Sequence, residues 1–495
     1  MRTAQRLTVP LRLDRDLREP LQAQLAAQLG EAIRTGRLAP HTRMPSTRTL
    51  AAALGVSRGV VLAAFEKLLA EGCVEGRHGS GTYVSGGPEP APPHGRRPAP
   101  GELVDLRRGR PSEQGFPLAA WREAWGRAGR QAPPAGGVPP AGLPELRTAI
   151  AAYLREARGL VLDRHEIVVA AGYGEALEVL LRGHCGARRP VIALEDPAPP
   201  SLRAAYARLG TVLPLPSDGA GARPDLIPRG CDVVAVLPER GDPLGTRMPL
   251  ERRRALAAWA RRGGGLVIEP AFDGLLDGLP GGLPGGLPGG LPRDVPGGLP
   301  EGAGGGRAGV LPSVLAAGAG EAGAMVGTFR DVLTPSLRTA FVVAPRRTAE
   351  RAAPAQPSHT CQLALADLLA SGTVARRAAR LAAQYAAKRT LVRQALAAYP
   401  GIRPLGADTG AAVTLLLPDR MEAAAVLETL RERRIAVAGL GAYYQRPGGM
   451  HALGNGLVLH YGHLDGVTLR RVLRILTRTL GTAAWPEPGG GRTVA

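Results

Sequence analysis

From residue 143 to residue 268 the chain alternates strand-length apolar runs with helix-length amphipathic ones, and no other feature restricts the fold as much. Leu143 to Arg158 carries apolar residues at helical spacing, and Ile167 to Ala170 is a short buried-type strand. Gly172, Tyr173 and Gly174 then form a turn before a helix expected to start near Glu175. The pattern repeats as strand Val191 to Leu194 and helix Leu202 to Leu209, strand Val233 to Leu237 and helix Leu250 to Arg262, and strand Leu266 to Ile268. Strands separated by helices cannot pair through tight hairpins, so they are expected to join a mostly parallel sheet with helices on both faces.

Before this region lies a different pattern. Leu21, Leu25, Leu29 and Ile33 recur four apart and form one stripe of a helix that stops at Gly36. A short second helix follows, capped by Ser46 or Thr47, with Leu50 and Leu54 inward and Gly55 turning the chain. Ser57 caps a third helix running to about Glu71, with Val61, Phe65 and Leu68 inward. Two helices joined by a short glycine-containing turn are a helix-turn-helix, and CVEGRHGSGTYV, from Cys73, supplies two short strands about Gly79. Residues 1–85 therefore read as one domain, and the Pro- and Gly-rich residues 86–103 as a linker.

Far downstream, Met325 and Val326 lead into a Gly/Thr turn, Pro335 and a second β-branched run ending at Val343, which reads as strand, turn, strand. Residues 275–306 repeat Leu-Pro-Gly-Gly with period four; proline forbids a helix there and glycine disfavours a strand, so this segment is expected to be a disordered insertion.

Charge gives a hint about partners. The net charge of +20, from 62 basic and 42 acidic residues, favours polyanions, although the Ala, Gly, Pro and Arg richness also looks like codon bias. Nearly all the positive charge is arginine, and the lysines are Lys67 and Lys388. Cys73, Cys185, Cys231 and Cys361 lie far apart with no Cys-x-x-Cys pair, which argues against a zinc site or a disulfide framework. No leader-like apolar segment opens the chain and no run of about 18 apolar residues occurs, so a soluble, cytoplasmic protein is expected.

MPSTRTLAAALGVSRGVVLAAFEKLLAEG, within residues 16–85, closely resembles the winged helix of GntR-type bacterial regulators. By that resemblance Arg48, Ser57, Arg58, His78 and Gly79 would meet double-stranded DNA. Gly59, Val60 and Leu62 depart from a pattern that often carries Thr, and Arg further on, so DNA contact is expected to be weaker or differently specific. Helix N-termini present N–H groups to phosphate and arginine pairs with guanine, which suits these positions.

VGTFRDVLTPSLRTAFVV, together with residues from Val104 onward, resembles the MocR subfamily of these regulators, in which the winged helix is fused to an aminotransferase-like domain of pyridoxal phosphate (PLP) fold type I. The resemblance implies a large domain over 104–373, then a long helix from about Val374 to Tyr399 and a small α/β subdomain over 374–482, a tail at 483–495, and a homodimer. The family's Schiff-base lysine falls on Asp331, its ring-stacking Tyr on Pro199, its pyridine-nitrogen Asp on Pro270, its second Tyr on Phe272, and its His-Gln pair on Arg240 and Gly241. An aldimine requires a primary amine, so no catalytic residue is assigned and covalent PLP is not expected. Lys67 lies on the recognition helix and Lys388 on the long helix beyond the hinge, so neither is expected to substitute.

What the family's phosphate end retains is Gly172, Gly174, Thr328 and Arg338, an anion cup that a small phosphorylated or carboxylated effector could occupy. Arg338 could equally pair with a local acid such as Asp331 or Asp196. No metal site is indicated. The leading reading is a DNA-binding regulator. The alternatives are an aminotransferase or PLP-sensing regulator that keeps its cofactor, and a large domain serving dimerisation alone.

Overall fold

The computed structural model describes residues 11, 13–14, 20–34, 37–39, 41–70, 73–77, 81–84, 103–271, 312–351, 354–408, 410–446, 453 and 455–484. His78, Gly79, Phe272, the insertion at 275–306 and nearly all of the linker and tail lie outside them. Two units result, one containing the described residues up to Val84 and the other those from Leu103 onward.

In the first unit α1 (Leu21–Arg34) packs on α3 (Arg58–Ala70), with α2 (Thr47–Leu54) between them in sequence and an antiparallel pair, β1 (Val74–Arg77) and β2 (Gly81–Val84), behind. Leu25, Leu29, Leu50, Val61, Phe65, Leu68, Val74 and Val84 are buried together. Local chemistry fixes the ends of α2. The Ser46 hydroxyl accepts from Thr49 N at 3.1 Å, and Gly55 at φ 63° turns the chain as only glycine readily does. The Ser57 hydroxyl accepts from Val60 N at 3.4 Å and opens α3.

The second unit is built on an eight-stranded sheet in the order His165–Ala170, Ala340–Pro345, Gly323–Thr328, Leu266–Pro270, Val233–Ala235, Val191–Asp196, Thr211–Asp218, Gly221–Ala222. The five strands from Gly323–Thr328 to Thr211–Asp218 run parallel, and Ala340–Pro345 is antiparallel to both its neighbours. Successive residues of one strand serve different cores. Met325, Phe341 and Val343 join one apolar cluster, while Ala324, Val326, Val342 and Ala344 join another, so both sheet faces are covered.

A smaller antiparallel sheet, Arg403–Leu405, Ala412–Leu416, Gly456–His460 and Ala438–Gly439, forms the C-terminal subdomain with helices Ala423–Glu432 and Gly466–Ala484. No single helix among the described residues is long and apolar enough to cross a membrane.

Several boundaries shift by up to three residues from expectation; the strand foreseen as Val233 to Leu237 ends at Ala235 and the helix foreseen from Leu202 begins at Pro200. The helix foreseen near Glu175 begins at Tyr173, because Gly172 at φ 121° already caps it and its carbonyl accepts from Ala176 N at 3.1 Å. The long helix spans Thr373–Leu396 and stops short of Tyr399, since the residue before Pro400 is biased away from helix. The last helix continues through Ala484, into the two residues expected to open the tail.

Candidate functional site

The helix-turn-helix presents Arg48, Ser57 and Arg58 to solvent. Arg58 opens α3, and its Nε donates to the Thr47 hydroxyl at 3.3 Å, so α2 holds the root of the guanidinium. The first turn of α3 carries N–H groups that its own helix cannot satisfy, and the Ser57 hydroxyl takes one of them, that of Val60.

In the second unit, strand register brings the expected anion cup together. Ala340 faces Ala170 on one side and Thr328 on the other, so the strand ends that lead into Gly172, Thr328 and Arg338 adjoin at one edge. The carbonyl of Arg338 lies 3.7 Å from where a Cβ on Gly172 would stand. Arg338 itself adopts φ 46°, a left-handed conformation uncommon for a residue with a side chain. Gly174 falls within the first helical turn. Neither pairing left open for Arg338 forms. Asp331 lies 3.4 Å from Arg330, Asp196 accepts from Gln445 N at 2.9 Å, and Arg338 is exposed with no ion pair among the described residues.

Asp331 lines a cleft with Arg110, Arg240, Asp242, Tyr385 and His460. Its walls come from the turn after Thr328, the loop after Val233–Ala235, the long helix and the small sheet, which sequence order alone could not join. One Asp242 oxygen is buried here with no hydrogen-bond partner among the described residues. The Tyr443 hydroxyl lies 2.9 Å from His460 Nε2, and burial pushes the Tyr443 phenol well above its ordinary value, so it keeps its proton. Burial also raises the Tyr385 phenol, and the Asp331 carboxylate adds to the effect.

The cofactor positions offer different chemistry from the family's. Pro199 caps the helix Pro200–Leu209 and Pro270 ends the strand Leu266–Pro270, so one supplies no aromatic face and the other no acid. Asp331 supplies no amine. These residues do not fit an aldimine-bound pyridine cofactor. Lys388 is nearer to the site than its sequence position implies. Its Nζ donates to the carbonyl of Gly462 at 2.7 Å, and Gly462 lines the same cleft as Asp331. Burial lowers the amine to about 8.

Around the cleft, buried cations rest largely on carbonyl groups. Arg377 donates to the carbonyls of Gln114 at 2.7 Å and Val332 at 3.3 Å, and to that of Ser112; burial lowers it to about 10. His463 is pushed down to about 4, first by burial and then by the Arg110 and Lys388 charges. Glu239, in the stretch where the family's His-Gln motif is replaced, accepts from Arg253 at 2.6 Å and Arg158 at 3.2 Å in the interior. Sequence reasoning does not find Arg110 and Tyr385 as cleft residues, because only the packing of the long helix and the segment after Asp105 brings them near Asp331.

The model of the bacterial regulatory proteins, gntR family, matches residues 21–84, and that of aminotransferase class I and II matches residues 102–203. The chain is 33% identical to the HTH-type pyridoxine biosynthesis transcriptional regulator PdxR of Corynebacterium glutamicum, over 94% of this chain and 97% of that one. It is 29% identical to the probable rhizopine catabolism regulatory protein MocR of Rhizobium meliloti, over 76% of each. Among solved structures, the multiple substrate aminotransferase of Thermococcus profundus matches with a TM-score of 0.62 at 18% identity, covering 78% of this chain and 93% of that one. LysN, the alpha-aminoadipate aminotransferase of Thermus thermophilus, matches at 0.58 and 22%, covering 77% and 93%. These two likenesses concern fold alone.

Proposed function

Given that the chain belongs to the MocR subfamily of GntR-type transcriptional regulators and is a DNA-binding regulator, we propose that its aminotransferase-like domain works without covalently bound PLP, as a dimerisation and effector-sensing module. The observation that carries this is Asp331. A carboxylate stands where the family's aldimine needs an amine, the cleft around it is lined by Arg110, Arg240 and Asp242, and the family's ring-stacking Tyr and pyridine-nitrogen Asp fall on Pro199 and Pro270. Catalysis by transamination has no residue to run through in such a site, so the domain's contribution is binding. Binding to DNA supports work in the cytoplasm.

The effector we propose is a small phosphate- or carboxylate-bearing molecule at Gly172, Gly174, Thr328 and Arg338. An uncommitted Arg338 beside a helix N-terminus supports it. Incubation of the purified protein with PLP followed by borohydride reduction and peptide mass analysis tests the covalent part, and no lysine peptide should gain the cofactor. Thermal shifts with phosphate esters test the second part, and a Tm that never moves removes the effector.

One observation favours a second reading. The relative at 33% identity is named for pyridoxine biosynthesis, so a vitamin B6 compound held without a covalent bond is the alternative ligand. Equilibrium dialysis with PLP separates it from an unrelated anion.

A further inference from the structure

We propose that Leu62 is a specificity-determining residue of the recognition helix and reads the C5-methyl group of a thymine in the operator's major groove, within two base pairs of the base met by Arg58. This rests on the DNA-binding role of the winged helix and assigns to it a residue and a base.

The helix α3 has two unlike faces. Val61, Ala64, Phe65 and Leu68 are buried against α1, α2 and the wing strands. Ser57, Arg58, Gly59, Leu62 and Glu66 point the other way, into solvent. Leu62 is 46% exposed on that face, next to charged neighbours. An isolated exposed leucine is ordinary on a protein surface, but this one stands one turn beyond Arg58 on the face that a recognition helix lays into the groove.

Its chemistry narrows what it can contact. Leucine has no donor or acceptor, so it cannot distinguish purines by hydrogen bonding. The methyl of thymine is the apolar feature that an unmodified major groove displays. Arg58 and Leu62 are four residues apart, which puts their Cβ atoms about 5–6 Å from each other. Base pairs are stacked about 3.4 Å apart, so the two side chains reach pairs one or two steps apart. The Arg58 Nε is held by the Thr47 hydroxyl, and its terminal nitrogens have no partner among the described residues, which leaves them for a guanine edge.

Two neighbours support the same placement. Gly59 has only the Ser57 hydroxyl, at 3.7 Å, near the place of a Cβ, so nothing in the fold demands glycine there, and its lack of a side chain lets the helix backbone come close to the bases. Glu66, the next residue along this face, repels phosphate and marks the far end of the reading surface. Arg48, Arg58 and Lys67 are exposed around it and complement the phosphate chains on either side.

The test uses the full-length protein. Selection from random duplexes gives an enriched site and reports, independently of Leu62, whether the chain binds DNA with sequence preference. Each thymine of that site is then replaced singly by deoxyuridine, which removes the methyl and nothing else. Wild type should lose about three- to tenfold in affinity at one thymine per half-site. L62A should bind the thymine duplex more weakly by a similar factor and no longer distinguish thymine from uracil there, with an unchanged salt slope and Tm. L62M should keep the discrimination. Wild type indifferent to every replacement, or L62A still sensitive to the same one, overturns the proposal. So does L62A changing the oligomeric state while leaving thymine discrimination intact, which would make Leu62 a contact between chains.

Discussion

The amino group of Lys388 rests 2.7 Å from the carbonyl of Gly462, and that glycine lines the cleft that holds Asp331. The lysine amine near the site is thus turned into the wall, against a carbonyl that satisfies one of its donors. Burial lowers it to about 8 from 10.5.

Lys388 therefore makes stability depend on pH in a defined direction. Its folded pKa lies below its unfolded one, so below pH 8 both states hold the proton and burial of the charge destabilises the fold. Between pH 8 and about 10.5 the unfolded chain keeps the proton longer, and stability rises. Denaturant titrations across that window should give a gain on the order of 2–3 kcal/mol in wild type that is missing in K388M.

The same sign applies, in the acid range, to His463, whose folded value of about 4 lies below the ordinary 6.5. As pH falls from 6.5 towards 4 the unfolded chain gains a proton that the folded one refuses, so stability drops. H463Q should flatten this part of the acid-denaturation curve.

Returning an amine to the cleft tests whether Asp331 is the residue that blocks covalent chemistry. Borohydride reduction in the presence of PLP should label the substituted side chain in D331K while leaving wild type unlabelled. Label on Lys388 of the wild-type protein would reverse the assignment.

Glu239 is 4% exposed and sits between Arg253 and Arg158, whose side chains are 0% and 3% exposed. E239A leaves two buried guanidinium groups without their carboxylate and should cost about 3–5 kcal/mol, read as a lowered urea midpoint. E239Q, which keeps an acceptor, should cost less.

For the DNA-binding face, R48A should weaken binding to all sequences alike and reduce the slope of log K against log salt by about 0.9 for each phosphate the side chain neutralises. R58A should in addition relax preference at one base pair. A footprint titration at several salt concentrations with single-base variants separates the two effects.

Most of the fold is legible in the sequence because its signals are local. The α1 stripe, the Ser46 and Gly55 caps, and the alternating strands and helices each depend on residues within a few positions of one another. The strand Thr211–Asp218 is not legible there, because Pro214 and Pro216 argue against a strand. It tolerates them towards the sheet edge, where the short strand Gly221–Ala222 pairs with it at Ser217 and Asp218. Lys388 is hidden for the opposite reason, since distance along a helix says nothing about what packs across it.

By itself, then, the sequence determined the winged helix and the layered sheet, and it puts a carboxylate, Asp331, in the turn after the strand Gly323–Thr328, since periodicity, capping and residue identity are properties of the chain. Tertiary structure alone decided that Arg110, Tyr385 and His460 share one cleft with Asp331, and that Arg338 pairs with neither Asp331 nor Asp196. Those relations link residues up to 350 positions apart, and only the packing of the two sheets and the long helix brings such residues within reach of one another.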